Sequence, residues 1–121
     1  MTTTRILAVA VDCRQPDLLA GFWEKALGNG KTRTWTDSHG LTYRQLDFGD
    51  GPALLFQSVP EEKAGKNRLH LDLAPVGRDQ RVEVERLVML GAKVLDDPPY
   101  DPWIVLADPE GNEFCVLPPR F

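Results

Sequence analysis

His70 and Asp72 stand two residues apart in the run RLHLDL, residues 68–73. Imidazole titrates close to neutral pH, so it can act as a general base, a proton donor or a metal ligand. A strand's side chains alternate. Leu69, Leu71 and Leu73 therefore share one face, and Arg68, His70 and Asp72 the other. The polar face is either ordinary wet surface or the wall of a cavity. Same-face neighbours on a strand are roughly 7 Å apart, too far to guarantee a hydrogen bond between the two groups.

Other side chains with chemical potential are scattered. Cys115 lies in EFCV, where a cysteine is either a small buried hydrophobe or a soft metal ligand. Trp35, Tyr43 and Trp103 fall in strand-like runs, and an indole or phenol offers large contact area to a flat ligand. Each could equally fill a sheet core. Trp35 is flanked by threonines and an arginine, and Trp103 follows the loop DPPYDP. His39 sits in a turn, and Glu83 and Glu85 read as the wet face of a helix. GDGP, residues 49–52, is too short for a phosphate loop and has no helix after it. No Ser-His-Asp nucleophile arrangement is legible.

The 121 residues suit a single domain with its own core. Hydrophobic residues make up 42% and charged residues 26%, a globular balance. Eighteen acidic residues against 14 basic ones give a net charge of −4, which disfavours nucleic acid and anionic membrane as partners. No apolar run reaches the ~18 residues of a membrane span, and MTTTRILAVAVDC does not read as a leader. A cytoplasmic protein is expected. Cys13 and Cys115 are then expected as reduced thiols.

The elements that must position these residues come in a repeating order. RILAVAVD (5–12) reads as a strand, with Leu7, Val9 and Val11 on one face and Ile6, Ala8 and Ala10 on the other. Pro16 and Asp17 open a helix that buries Leu18, Leu19, Phe22, Trp23, Ala26 and Leu27 and stops at Gly28. KTRTWTD, LTYRQLDF and ALLFQS are three more strands. After the polar connector PEEKAGKN the order restarts. RLHLDLA is a strand, residues 78–90 a helix with Val84, Leu87 and Val88 on its stripe, and AKVLDD, WIVLA and EFCVLP three strands. Leu27-Gly28 and Leu90-Gly91 end the two helices. The expectation is an α+β fold of two βαβββ modules, about 1–60 and about 66–121, within one domain. Their curved mixed sheets surround a cup, with one helix on the outer face of each module.

The βαβββ repeat, the helix LAGFWEKALG, RLHLDL and DPEGNEF together resemble the vicinal oxygen chelate superfamily, the glyoxalase and bleomycin-resistance fold. The chain is most similar to its small, bacterial, single-domain glyoxalase-like group. The resemblance covers nearly the whole chain. It implies a metal site with one ligand from the first and last strand of each module, typically His, Glu or Gln, His and Glu. Carried over by position, the first ligand falls on Ala8, the second on Gln57 (or Leu55), the third on His70 and the fourth on Cys115. Alanine has no donor atom and Cys115 stands where glutamate is usual. No zinc, nickel, manganese or iron cofactor is therefore expected.

What the resemblance implies instead is a small organic ligand held in the cup by Trp35, Tyr43, Gln57, His70, Asp72, Trp103 and Cys115, in a homodimer that covers exposed strand edges. The alternative is a lyase, isomerase or dioxygenase-type enzyme with His70 as the catalytic residue.

Overall fold

The computed structural model describes residues 1–120. The chain divides into two compact units, residues 1–62 and 63–121. The first contains β1 (Ala8–Cys13), α1 (Pro16–Leu27), β2 (Lys31–Thr36), β3 (Thr42–Asp47) and β4 (Ala53–Ser58). The second contains β5 (Leu71–Leu73), α2 (Gln80–Leu90), β6 (Lys93–Asp96), β7 (Ile104–Ala107) and β8 (Glu113–Val116). The element order is βαβββ twice. The sheets have spatial orders β1-β4-β3-β2 and β5-β8-β7-β6, so each is an open, four-stranded mixed sheet.

In both units the first strand runs parallel to the last, and all other pairs are antiparallel. Parallel neighbours cannot be joined by a tight hairpin, so the helix and two strands between them form the crossover. In the first unit the helix-side core holds Leu19, Phe22, Trp23, Leu46, Leu54 and Phe56, all buried. Phe22 and Trp23 meet edge to face at 5.2 Å. In the second unit Val84, Leu87, Ile104, Leu106, Phe114 and Val116 form the equivalent core.

Helix boundaries follow local chemistry. Pro16 occupies the first turn of α1, where its missing N–H costs nothing. Asp79 caps α2 by accepting a hydrogen bond from the Val82 N–H at 2.8 Å, which moves the helix start from residue 78 to Gln80. Gly28, at φ 79°, ends α1 in the left-handed region.

Several assignments differ from the sequence reading: β1 begins at Ala8 rather than residue 5, leaving Ile6 and Leu7 exposed, and Leu27 is only half-buried. Leu18 is 55% exposed, and Ala20 is buried in its stead. Leu69 is 87% exposed, in a bend that precedes β5, which begins only at Leu71. In α2, Val88 is exposed whereas Glu83, expected on the wet face, is buried. At 3.6 residues per turn, Glu83 and Val88 lie about equally far from the midline between Val84 and Leu87, roughly 70° on either side. The Glu83 flank is covered because two arginines close over it. Arg86 Nε donates to Glu83 Oε1 at 2.8 Å and Arg86 Nη2 to Oε2 at 3.0 Å, while Arg78 Nη1 lies 3.3 Å from Oε1.

The Arg86 hydrogen bond is the main cause holding the Glu83 carboxyl below its ordinary pKa. A depressed carboxylate pKa adds stability above the unfolded-state value, and that stability is lost as pH falls through the folded-state value. Glu83→Ala is expected to lower unfolding free energy by about 1–2 kcal/mol near neutral pH. The difference from the parent should shrink on acidification below the ordinary carboxylate range. Urea melts of both proteins across pH check this; a cost that does not change with pH would contradict it.

Candidate functional site

Strand registers set two rows of side chains, one on each sheet. Across the first sheet Trp35 faces Tyr43, Tyr43 faces Gln57, and Gln57 faces Asp12. Directly paired residues point to the same side of a sheet. Trp35, Tyr43, Gln57 and Asp12 therefore run as one row across all four strands, on the face opposite Leu46, Leu54 and Phe56.

The row is ordered by its own contacts. Trp35 and Tyr43 stack with ring centroids 5.3 Å apart and planes 13° off parallel. The guanidinium of Arg33 lies 5.6 Å from the Trp35 ring centroid, within cation–π range. Gln57 Nε2 donates to Asp12 Oδ1 at 2.8 Å. The Tyr43 hydroxyl donates to Asp37 Oδ2 at 2.8 Å, while Asp37 Oδ1 accepts from the N–H groups of His39 and Leu41. These bonds fix the Ser38-His39-Gly40 turn and lock the phenol in place. They hold the Asp37 carboxyl below its ordinary pKa, chiefly through the Leu41 N–H and the Tyr43 hydroxyl. The same pairing pushes the Tyr43 phenol up.

On the second sheet Asp72 faces Cys115 across the parallel β5–β8 pair. His70 lies just before β5, where the backbone has not yet straightened. Nδ1 of its ring lies 3.3 Å from Asp72 Oδ1. One ligand atom from each of His70, Asp72 and Cys115 falls within 4.8 Å of the others. The side chains of His70 and Asp72 are 40% and 53% exposed. The Cys115 thiol is partly buried, and burial, followed by the Asp72 charge and hydrogen bond, pushes its pKa up.

Two supports set the position of β8. Asp108, buried in the DPEGN turn, accepts from the N–H groups of Glu110 and Asn112 at 2.9 and 3.0 Å and so shapes the β7–β8 hairpin. Glu113 binds Lys63 Nζ and the Asn67 N–H, both at 3.1 Å, which ties the incoming connector to the sheet.

Trp35, Tyr43 and Gln57 are thus one group, and His70, Asp72 and Cys115 another. Trp103 stands apart, 39% exposed at the entry to β7. Asp12, Arg33 and Asp37 belong to the first row and were not singled out from the sequence. The parallel between VDC (11–13) and LDL (71–73) is the signal that could have found Asp12: each aspartate faces a polar residue of the last strand. The four-ligand metal set implied by resemblance does not fit this chain. Ala8 lies opposite Ala53 and supplies no donor.

The chain matches the glyoxalase-like domain over residues 8–117 and belongs to that family. Its place in the vicinal oxygen chelate superfamily follows. No curated protein matches the chain. Among solved structures, a glyoxalase/bleomycin resistance protein/dioxygenase family enzyme from Burkholderia phytofirmans is similar at TM-score 0.66 and 21% identity, over 93% of this chain and 97% of that one. The fosfomycin resistance protein FosX from Mesorhizobium loti is similar at 0.69 and 16%, over 97% and 92%. The trypanothione-dependent glyoxalase I of Leishmania major is similar at 0.69 and 16%, over 95% and 86%. At these identities the likeness is one of fold.

Asp37→Asn weakens the hydrogen bond to the carboxylate, the main cause that raises the Tyr43 phenol, and removes its charge. The Tyr43 titration, followed by phenolate absorbance, is expected to move to lower pH in that variant. An unchanged titration would show that Asp37 does not hold the ring.

Proposed function

We propose that this protein binds a small, flat organic molecule and sequesters it without a four-ligand metal centre. The stacked Trp35–Tyr43 pair on the open face of the first sheet carries the reading. An aromatic stack held at one end by Asp37 presents a preorganised π surface, and preorganisation reduces the ordering cost of binding. Arg33 beside Trp35 favours a ligand with an anionic group, and Gln57 adds hydrogen-bonding capacity in the same row. The resistance proteins among the similar structures, one for fosfomycin and one in a family that includes bleomycin resistance, support small-molecule binding as the class of function. The edge strands β2 and β6, exposed along their lengths, support a homodimer. Two reduced cysteines are in keeping with a cytoplasmic setting. Among the described residues no helix is long and apolar enough to cross a membrane.

A second reading, an enzyme with His70 as base, draws on the 3.3 Å approach of His70 to Asp72. A carboxylate at Nδ1 would orient the ring and leave Nε2 to take a proton from a small oxygenated substrate in a lyase or isomerase reaction.

The readings separate in one experiment. Bicyclic aromatic carboxylates, epoxides and α-oxoaldehydes are titrated against tryptophan fluorescence and then recovered for mass analysis. Sequestration predicts that an aromatic carboxylate binds, is recovered unchanged, and loses roughly tenfold in affinity, about 1–2 kcal/mol, in Trp35→Ala. Conversion of a bound compound that disappears in His70→Gln would establish the enzyme instead. Sedimentation at micromolar concentration is expected to give the mass of two chains; the mass of one would contradict the dimer.

A further inference from the structure

The hairpin beside the aromatic row decides which backbone groups of β2 face outwards. At its turn the Asp37 N–H donates to the Leu41 carbonyl at 3.0 Å, so Asp37 and Leu41 form a hydrogen-bonded pair. Such pairs alternate with non-bonded ones along an antiparallel ladder. Trp35, Arg33 and Lys31 therefore direct their main-chain groups to Tyr43, Gln45 and Asp47 on β3. Thr36, Thr34 and Thr32 direct theirs away from it. β2 ends its sheet and is exposed along its whole length. Its threonines thus present an edge of donors and acceptors, and among the described residues no further strand pairs with it.

We propose that the β2 edges of two copies pair antiparallel about a two-fold axis at Thr34, so that each copy adds Arg33 to the aromatic row of the other. In this register Thr34 meets Thr34 and Thr32 meets Thr36, which sets each outward N–H against a C=O. The side chains on the open face agree. Arg33 of each copy stands opposite Trp35 of the other in a non-hydrogen-bonded pair, where cross-strand side chains come closest. Guanidinium near indole is the contact that Arg33 already makes at 5.6 Å within its own chain. Lys31 stands opposite Asp37, ammonium against carboxylate. On the other face, where the Thr32 hydroxyl donates to Glu24 of α1, threonine meets threonine, a favourable cross-strand pair.

Neighbouring registers lack this fit. A slip of one residue sets outward main-chain groups against inward ones. With Arg33 on the axis, two arginines face each other and Lys31 meets Trp35. With Trp35 on the axis, Lys31 and Thr32 run past the strand end, opposite the Ser38-His39-Gly40 turn. Lys31 and Arg33 therefore guard the edge against other strands while admitting a second copy. The pairing closes on itself, because each copy has one such edge. It rests on the homodimer proposed above and assigns its interface, which makes the ligand row a site shared by two chains.

The test uses the full-length chain with single cysteines placed along β2, oxidised glutathione as the oxidant, and mass analysis of the linked peptides. Cα atoms of a hydrogen-bonded antiparallel pair are about 5.5 Å apart, within disulfide reach. Thr34→Cys is expected to link through position 34 of both chains. Thr32→Cys alone and Thr36→Cys alone are expected not to link through those positions, because like positions then lie four residues apart, roughly 13 Å. An equal mixture of those two is expected to link 32 to 36. Thr34→Pro removes the outward N–H at the axis and leaves the β2–β3 ladder intact. It is expected to weaken dimerisation roughly tenfold or more in sedimentation, with unchanged circular dichroism. A parent dimer in which Thr34→Cys fails to link, or Thr32→Cys links to itself, would overturn this interface and leave the homodimer standing. Unchanged dimerisation in a folded Thr34→Pro protein would do the same, and if that variant does not fold the cysteine series decides. A single-chain mass for the parent protein would overturn both.

Discussion

Each unit depends on one constraint: its first strand must lie parallel to its last. Everything between those strands serves as the crossover that this pairing demands. The helix packs on the side of Leu46, Leu54 and Phe56 in the first unit, and of Leu106, Phe114 and Val116 in the second. The opposite face of each sheet carries the polar and aromatic side chains, among aliphatic ones such as Leu55 and Val105. The parallel pair also brings together residues far apart in the chain, so that Asp12 meets Gln57 and Asp72 meets Cys115. A slip of one residue in either pair would turn those side chains into the helix-side core.

The same architecture used twice has acquired two chemistries. The row on the first sheet is rigid, aromatic and hydrogen-bonded, with Tyr43 held by Asp37 and Gln57 by Asp12. The group on the second sheet is compact and rich in metal-ligating atoms. The two positions of the aspartates are equivalent, and what differs is the partner on the last strand. Gln57 takes the carboxylate of Asp12 as a hydrogen-bond acceptor. Cys115 beside Asp72 instead has its thiol form favoured by burial and by the neighbouring charge.

Much of this was legible in the sequence, for physical reasons. Helix stripes at a period of 3.6 and strand alternation at a period of 2 fixed the element order, and glycines after Leu27 and Leu90 marked the helix ends. Alternation in EFCV sets Cys115 against Phe114 and Val116, and those two are buried while Cys115 is only partly so. What escaped were features that arise from backbone departures and long-range pairing. The alternation in RLHLDL suggested a strand from residue 68, but a bend at residues 68–69 delays β5 to Leu71 and leaves Leu69 exposed. His70 and Asp72 meet at 3.3 Å because their side chains lean together, which backbone spacing alone does not reveal. Glu83 looked like a surface carboxylate because nothing local reveals that Arg78 and Arg86 converge on it. The Trp35–Tyr43 stack required the β2–β3 register, which the turn at Ser38-His39-Gly40 sets through Asp37.

The pairing of first with last strand is accessible directly by nuclear magnetic resonance. Interstrand nuclear Overhauser contacts between backbone protons of residues 71–73 and 114–116, and between 8–13 and 53–58, report both direction and register. The account predicts the pattern of parallel strands, with Asp72 adjacent to Cys115 and Asp12 adjacent to Gln57. Antiparallel contacts, or a register displaced by one residue, would contradict it.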